Sequence, residues 1–166
     1  MKYLLLGLVV FTSTLSWASL PFTSGDYYGG GVVSFSGSPF AGPYAGLTAP
    51  YSIHISVTEV SLNKATLTLD NSLSSSGQLV IKLIDTGNSQ LEILDIQDKA
   101  IGTATCKVNS CELSFIFPTI TAAGVPISVK YSANLTAMSA AIIQVGSASL
   151  GSSVIYNFND KLKVQL

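Results

Sequence analysis

The sequence predicts an all-β protein: a single antiparallel up-and-down β-barrel of about 8–10 strands, with a β-sandwich as the alternative. Three observations point there. Apolar and polar residues alternate with period two over most of the chain, as in strands buried on one face only. Turn residues interrupt the alternation at short intervals. Charged residues make up only 10% of the chain, against about 25% in a typical globular protein. Open sheet edges are normally defended by charge. A chain with so little of it is better served by a sheet that closes on itself.

The N-terminus has the layout of an export leader. Met1 and Lys2 give a short positive start, Tyr3 to Phe11 an apolar core, and Ser16 and Ala18 the small residues that a signal peptidase reads. The apolar core is well short of the roughly 20 residues that a spanning helix needs. We expect residues 1–18 to be a signal peptide and 19–166 a single β-barrel domain, placed in the periplasm or outside the cell. No later segment is long and apolar enough to span a membrane as a helix.

"SGDYYGGGVVSFSG" opens the domain. Gly29, Gly30 and Gly31 weaken a strand but permit a bend or a close backbone approach. Residues 37–50 follow without strand alternation and carry the repeat Pro39-Phe40-Ala41-Gly42, Pro43-Tyr44-Ala45-Gly46. An unstructured loop of that length is usually functional or disordered, and Phe40, Tyr44 and Leu47 make this one too apolar for a disordered linker.

Four hairpins are expected: 51–62 with 65–70, 79–85 with 90–96, 101–106 with 111–117, and 153–158 with 161–166. In the first, Tyr51, Ile53, Ile55 and Val57 share one face and Ser52, His54, Ser56 and Thr58 the other. Val60 and Leu62 fall out of phase, which suggests a bulge near Thr58-Glu59. Reversals are expected at Asn63-Lys64, at Thr86 to Ser89 and at Asn159-Asp160, where Asn and Gly tolerate positive φ. Residues 127–135 alternate as a strand. "LTAMSAAIIQ" fits either a strand or a short helix, since Leu135, Met138 and Ile142 have helical spacing.

The glycine–x–aromatic opening at Gly25, Asp26 and Tyr27, followed by a long first loop over 37–50 and a run of hairpins, resembles the calycin superfamily, which includes the lipocalins. Tyr27 stands where lipocalins usually have tryptophan, and this chain has no arginine to pack across it. The resemblance implies a barrel that holds a small apolar ligand, with the 37–50 loop folded over its mouth.

The chemistry-bearing residues are few. The eight cations are all lysines, so the planar two-pronged donor that grips phosphates and base edges is missing, and nucleic-acid binding is not expected. His54 is the only histidine and lies on a polar strand face, and no G-x-S-x-G elbow occurs. Asp85, Glu92, Asp95 and Asp98 follow neither a calcium-loop nor a helix-face spacing; they read as a solvated hairpin end. The triplet Asp85-Thr86-Gly87 falls in an exposed turn, unlike the buried Asp of an aspartic protease.

The two cysteines, Cys106 and Cys111, lack the further ligands that a metal site needs and sit in strand sequence rather than at a helix start. With Val108-Asn109 as the turn, they face one another, and export favours a disulfide between them.

We therefore expect a non-enzymatic exported protein, without metal or cofactor, whose barrel holds a small apolar or amphipathic ligand. Tyr27, Tyr28, Phe40 and Tyr44 are the candidate ligand-binding residues. The alternative is an interaction module that meets another protein through a sheet edge or the 37–50 loop. A membrane-embedded barrel is a further alternative, although the single tryptophan lies in the leader and aromatic girdles are not evident.

Overall fold

A computed structural model describes residues 20–72, 78–87, 90–120, 124–138 and 140–164; the expected leader lies outside them. Among the described residues there are ten strands: β1 (Gly25–Phe35), β2 (Thr48–Thr58), β3 (Lys64–Asn71), β4 (Leu79–Asp85), β5 (Leu91–Leu94), β6 (Ala100–Lys107), β7 (Ser110–Ile120), β8 (Pro126–Met138), β9 (Ala141–Leu150) and β10 (Ser153–Val164). Each pairs antiparallel with its sequence neighbours, and β1 pairs antiparallel with β10 from Tyr27↔Val164 to Phe35↔Tyr156. The sheet thus closes in a ring. An even number of alternating strands brings the last back antiparallel to the first, which is why the seam forms without a crossover.

The alternation has apolar side chains inside. On β2, Ile53, Ile55 and Val57 are buried. On β7, Cys111, Leu113 and Phe115 point inward while Glu112 is exposed. One end of the ring is packed solid. Its core contains Ile55, Leu67, Leu83, Leu135, Ile142 and Leu162, and the segment before β1 adds Leu20 and Phe22. Tyr27 belongs to this end: its hydroxyl bonds the Thr23 side chain at 2.7 Å and donates to the Thr23 carbonyl at 3.1 Å.

The disulfide Cys106–Cys111 lies in the same packed end. Its register is the expected one, with Cys106 opposite Cys111 and Lys107 opposite Ser110. A loop this small contributes about 2 kcal/mol on the chain-entropy view. Cys111→Ser should therefore lower Tm by about 5 °C in a thermal scan and leave the fold intact. An unchanged Tm contradicts a stabilising bridge.

The first three expected hairpins form, each with slightly different limits, and the fourth does not. Residues 153–164 are one continuous strand that pairs with β9 on one side and β1 on the other. Asn159-Asp160 is a turn dipeptide by composition only. Asp160 points into the barrel, and β1 supplies the partner that a hairpin return would have given. The actual reversal comes earlier, at Gly151 (φ 59°).

"LTAMSAAIIQ" resolves as the end of β8 and the start of β9, because Leu135 and Ile142 both find places inside. No bulge forms at Thr58-Glu59. β2 simply stops there and Glu59 turns with positive φ (53°), held by Thr66 Oγ1 at 2.9 Å and Lys64 Nζ at 2.9 Å. Register shifts occur instead at Ile93/Leu94 and at Val154/Tyr156.

Candidate functional site

The other end of the ring is hollow. A cavity of about 550 Å3 occupies it. Its wall is built from the ends of the strands: Val33 and Phe35 of β1, Tyr51 and Ile53 of β2, Phe117 of β7, Val129 and Tyr131 of β8, and Tyr156 and Phe158 of β10. β5 is only four residues long, and beyond it Asp95, Ile96 and Gln97 of the following turn complete the wall.

The aromatic side chains touch in sequence. Phe35 meets Tyr156 edge-on at 5.8 Å, Tyr156 meets Phe158 at 6.2 Å, and Phe158 stacks on Tyr131 at 5.1 Å. Such contacts add about 0.5–1.5 kcal/mol each beyond area burial, so the wall is braced before anything enters it.

A polar belt crosses this wall where hollow meets core. Asp160 and Gln144 are cross-strand partners on β10 and β9, and each is only 1% exposed. The Tyr51 hydroxyl donates to Asp160 Oδ2 at 2.6 Å, and Gln144 Nε2 donates to the Tyr131 hydroxyl. Gly31 lies in register between Tyr51 and Asp160. Without a side chain there, Tyr51 can reach across β1 to the carboxylate. Asp160 Oδ1 and Gln144 Oε1 have no hydrogen-bond partner.

Burial pushes the Asp160 carboxyl above its ordinary value, although the Tyr51 bond pulls it partly back. Burial also raises Tyr51, Tyr131 and Tyr156, with Asp160 adding to the rise at Tyr51. The three phenols are therefore neutral near pH 7.

The Asp160 shift has a definite sign in stability. Below the ordinary carboxylate pKa both folded and unfolded chains hold the proton. As pH rises past it, the unfolded chain ionises first and stability falls, until the folded carboxyl ionises too. Asp160→Asn does not titrate, and its amide can still accept from Tyr51 while donating to Gln144. The variant should thus gain Tm relative to the parent more at pH 7 than at pH 3. An equal difference at both pH values contradicts a raised carboxyl.

None of the four residues expected to bind ligand, Tyr27, Tyr28, Phe40 and Tyr44, lines this cavity. Tyr27 is in the packed end. Tyr28 points outward and is 46% exposed; it stacks flat on His54 at 4.2 Å. Phe40 and Tyr44 are exposed on a short 3-10 helix, Pro39–Tyr44, broken at Gly42 where φ is 57°. Tyr44 stacks at 5.2 Å on Phe35, which lines the cavity. Ala41 of the same helix packs with Val129, Ala148 and Ile155. The 37–50 region therefore lies against the hollow end, with Thr48 onward belonging to β2.

The remaining polar candidates stabilise turns and strand faces. His54 Nε2 lies 3.0 Å from Asp26 Oδ1 on the outer surface, and this bond holds the Asp26 carboxyl below its usual value. Asp85 Oδ1 accepts from the Gly87 N–H at 2.7 Å, and Asp95 Oδ1 from those of Gln97 and Lys99. Asp98 pairs with Lys82 at 2.6 Å. Among the described residues, no group of acidic, histidine or cysteine side chains is arranged to hold a metal ion.

Asp160, Gln144, Tyr51 and Tyr131 were not singled out from the sequence. The trace they leave there is phase. Asp160 falls in step with Phe158 and Leu162, and Gln144 with Ile142. A polar residue in the apolar phase of a strand marks a buried polar position. No protein-family model matches this chain, and neither a curated protein nor a solved structure matches it.

Proposed function

We propose that this chain is an exported carrier protein that holds a small amphipathic or apolar ligand inside its barrel and does no chemistry on it. The observation that carries this reading is the cavity of about 550 Å3, a volume within the range of sites that enclose drug-sized ligands. Its wall is mainly aliphatic and aromatic, with a few convergent polar groups at one side, which is the usual make-up of a small-molecule site. The architecture is also what a calycin-like protein would need.

Export is part of the proposal. The leader layout of residues 1–18 supports it, and the Cys106–Cys111 bridge suits an oxidising compartment. The outward faces of β7 and β8 carry Glu112, Ser114, Lys130, Ser132 and Asn134 around an apolar interior. That is the reverse of a lipid-facing barrel, so we place the protein in water.

A protein-binding role has one supporting feature, the exposed Phe40, Tyr44 and Leu47 beside the hollow end. Binding by strand addition lacks such support, since each strand is paired on both sides.

Titration with N-phenylnaphthylamine, a neutral apolar fluorophore, tests the carrier reading. Saturable enhancement at one probe per chain is expected. Val129→Trp, which projects an indole into the cavity, should weaken binding at least about tenfold, a loss of about 1.4 kcal/mol. Failure to saturate, or indifference to Val129→Trp in a folded variant, contradicts the proposal.

A further inference from the structure

The polar belt restricts what the ligand's head group can be. Gln144 lines the cavity, is 1% exposed, and leaves Oε1 without a partner. Asp160, its cross-strand neighbour, leaves Oδ1 likewise unpartnered while Tyr51 satisfies Oδ2 at 2.6 Å. Two orphaned acceptors side by side are unfavourable in a buried site, because each has given up water without a replacement. A donor arriving with the ligand removes that penalty. Asp160 itself stands behind the wall, beside Gln144, whereas the carboxylate of Asp95 is in the lining, and among the described residues no lysine lines the cavity. An anionic head at Gln144 would lie between Asp95 in the wall and Asp160 behind it, with no countercharge among the described lining residues, at low dielectric, where like charges repel strongly.

We infer that the cavity takes an amphipath whose head is a hydrogen-bond donor without negative charge, an alcohol or an amine. The head donates to Gln144 Oε1, and the neighbouring Asp160 excludes carboxylates and other anions. The inference rests on the carrier reading above and adds the class of head group to it.

The test is displacement of bound N-phenylnaphthylamine near pH 7 by decanol, decylamine and decanoate, which share one alkyl chain and differ in the head. Decanol or decylamine should displace the probe at a concentration at least about tenfold lower than decanoate does, since like-charge juxtaposition in a binding site is strongly unfavourable. Decanoate binding as tightly as both, or more tightly, overturns the head-group inference and leaves the carrier reading standing. A probe that never binds saturably defeats the carrier reading itself.

Two variants sharpen the assignment. In Gln144→Leu the advantage of decanol should shrink to within about threefold while the probe still binds, because the acceptor is gone. In Asp160→Asn decanoate should gain on decanol. A folded Gln144→Leu protein that keeps the full preference overturns the role given to that amide. Should either variant fail to fold, the three-head series on the parent protein decides the inference.

Discussion

Gly31→Val should leave little folded protein at 25 °C, with a loss upward of about 4 kcal/mol in urea denaturation. Three effects coincide at this position. A Cβ at Gly31 would overlap Asp160 Oδ1, the Asn159 carbonyl oxygen and Asp160 Cα. Two of those atoms are backbone, so no rotamer change relieves the clash, and overpacking of this kind costs about 1–3 kcal/mol. The side chain would also stand between Tyr51 and Asp160, whose 2.6 Å bond crosses the strand at this glycine. Removing the partner of a buried charged group costs about 3–5 kcal/mol. Finally, β1 and β10 form the seam that closes the ring, so strain there opens two edges at once. Against a typical total of 5–15 kcal/mol for a single domain, this is a large fraction. A Gly31→Val protein within about 1 kcal/mol of the parent contradicts the belt geometry.

Phe115→Ala should lower stability by about 3–5 kcal/mol, the range for truncating a fully buried phenylalanine. Phe115 is 1% exposed and packs at 4.9 Å on Tyr131 and 5.9 Å on Phe117. Two residues along the same strand face, Phe117 lines the hollow end and is only partly buried. It already borders empty space, so Phe117→Ala removes fewer contacts and should cost roughly half as much. It should, however, weaken binding of the apolar probe, which Phe115→Ala should affect less. Equal losses for the two substitutions contradict a boundary between filled core and cavity at this level of β7.

The hairpin order and the facing cysteines were legible in the sequence because both depend on local rules. Period-two alternation fixes which side chains share a face, and "KVNS" is short enough to fix the register of Cys106 on Cys111. The last strand is not legible locally, for a physical reason. Asn159-Asp160 has the composition of a turn, and what keeps it extended is β1, more than a hundred residues away in the chain, together with the Tyr51 bond. Local sequence carries no information on that pairing.

The polar belt is hidden in the sequence for the same reason. Read as a turn residue, Asp160 belonged to the surface; read in phase with Phe158 and Leu162, it is an interior carboxylate. The glycines at 29–31 were recognised as permitting a close approach, but not what approaches. The exposed aromatic residues at 40 and 44 stood out because they interrupt a loop that has no strand pattern. The cavity wall did not, because Tyr51, Tyr131 and Phe158 look like ordinary members of alternating strands.

Whether the hollow end holds a ligand is read directly by native mass spectrometry of the protein purified without detergent. The expected result is a monomer carrying one extra mass of a few hundred daltons, the scale of a drug-sized guest in a cavity of this class. That mass should be released on denaturation and absent from the Val129→Trp protein. A bare chain that assembles into oligomers, with no extra mass before or after gentle activation, would contradict the carrier reading.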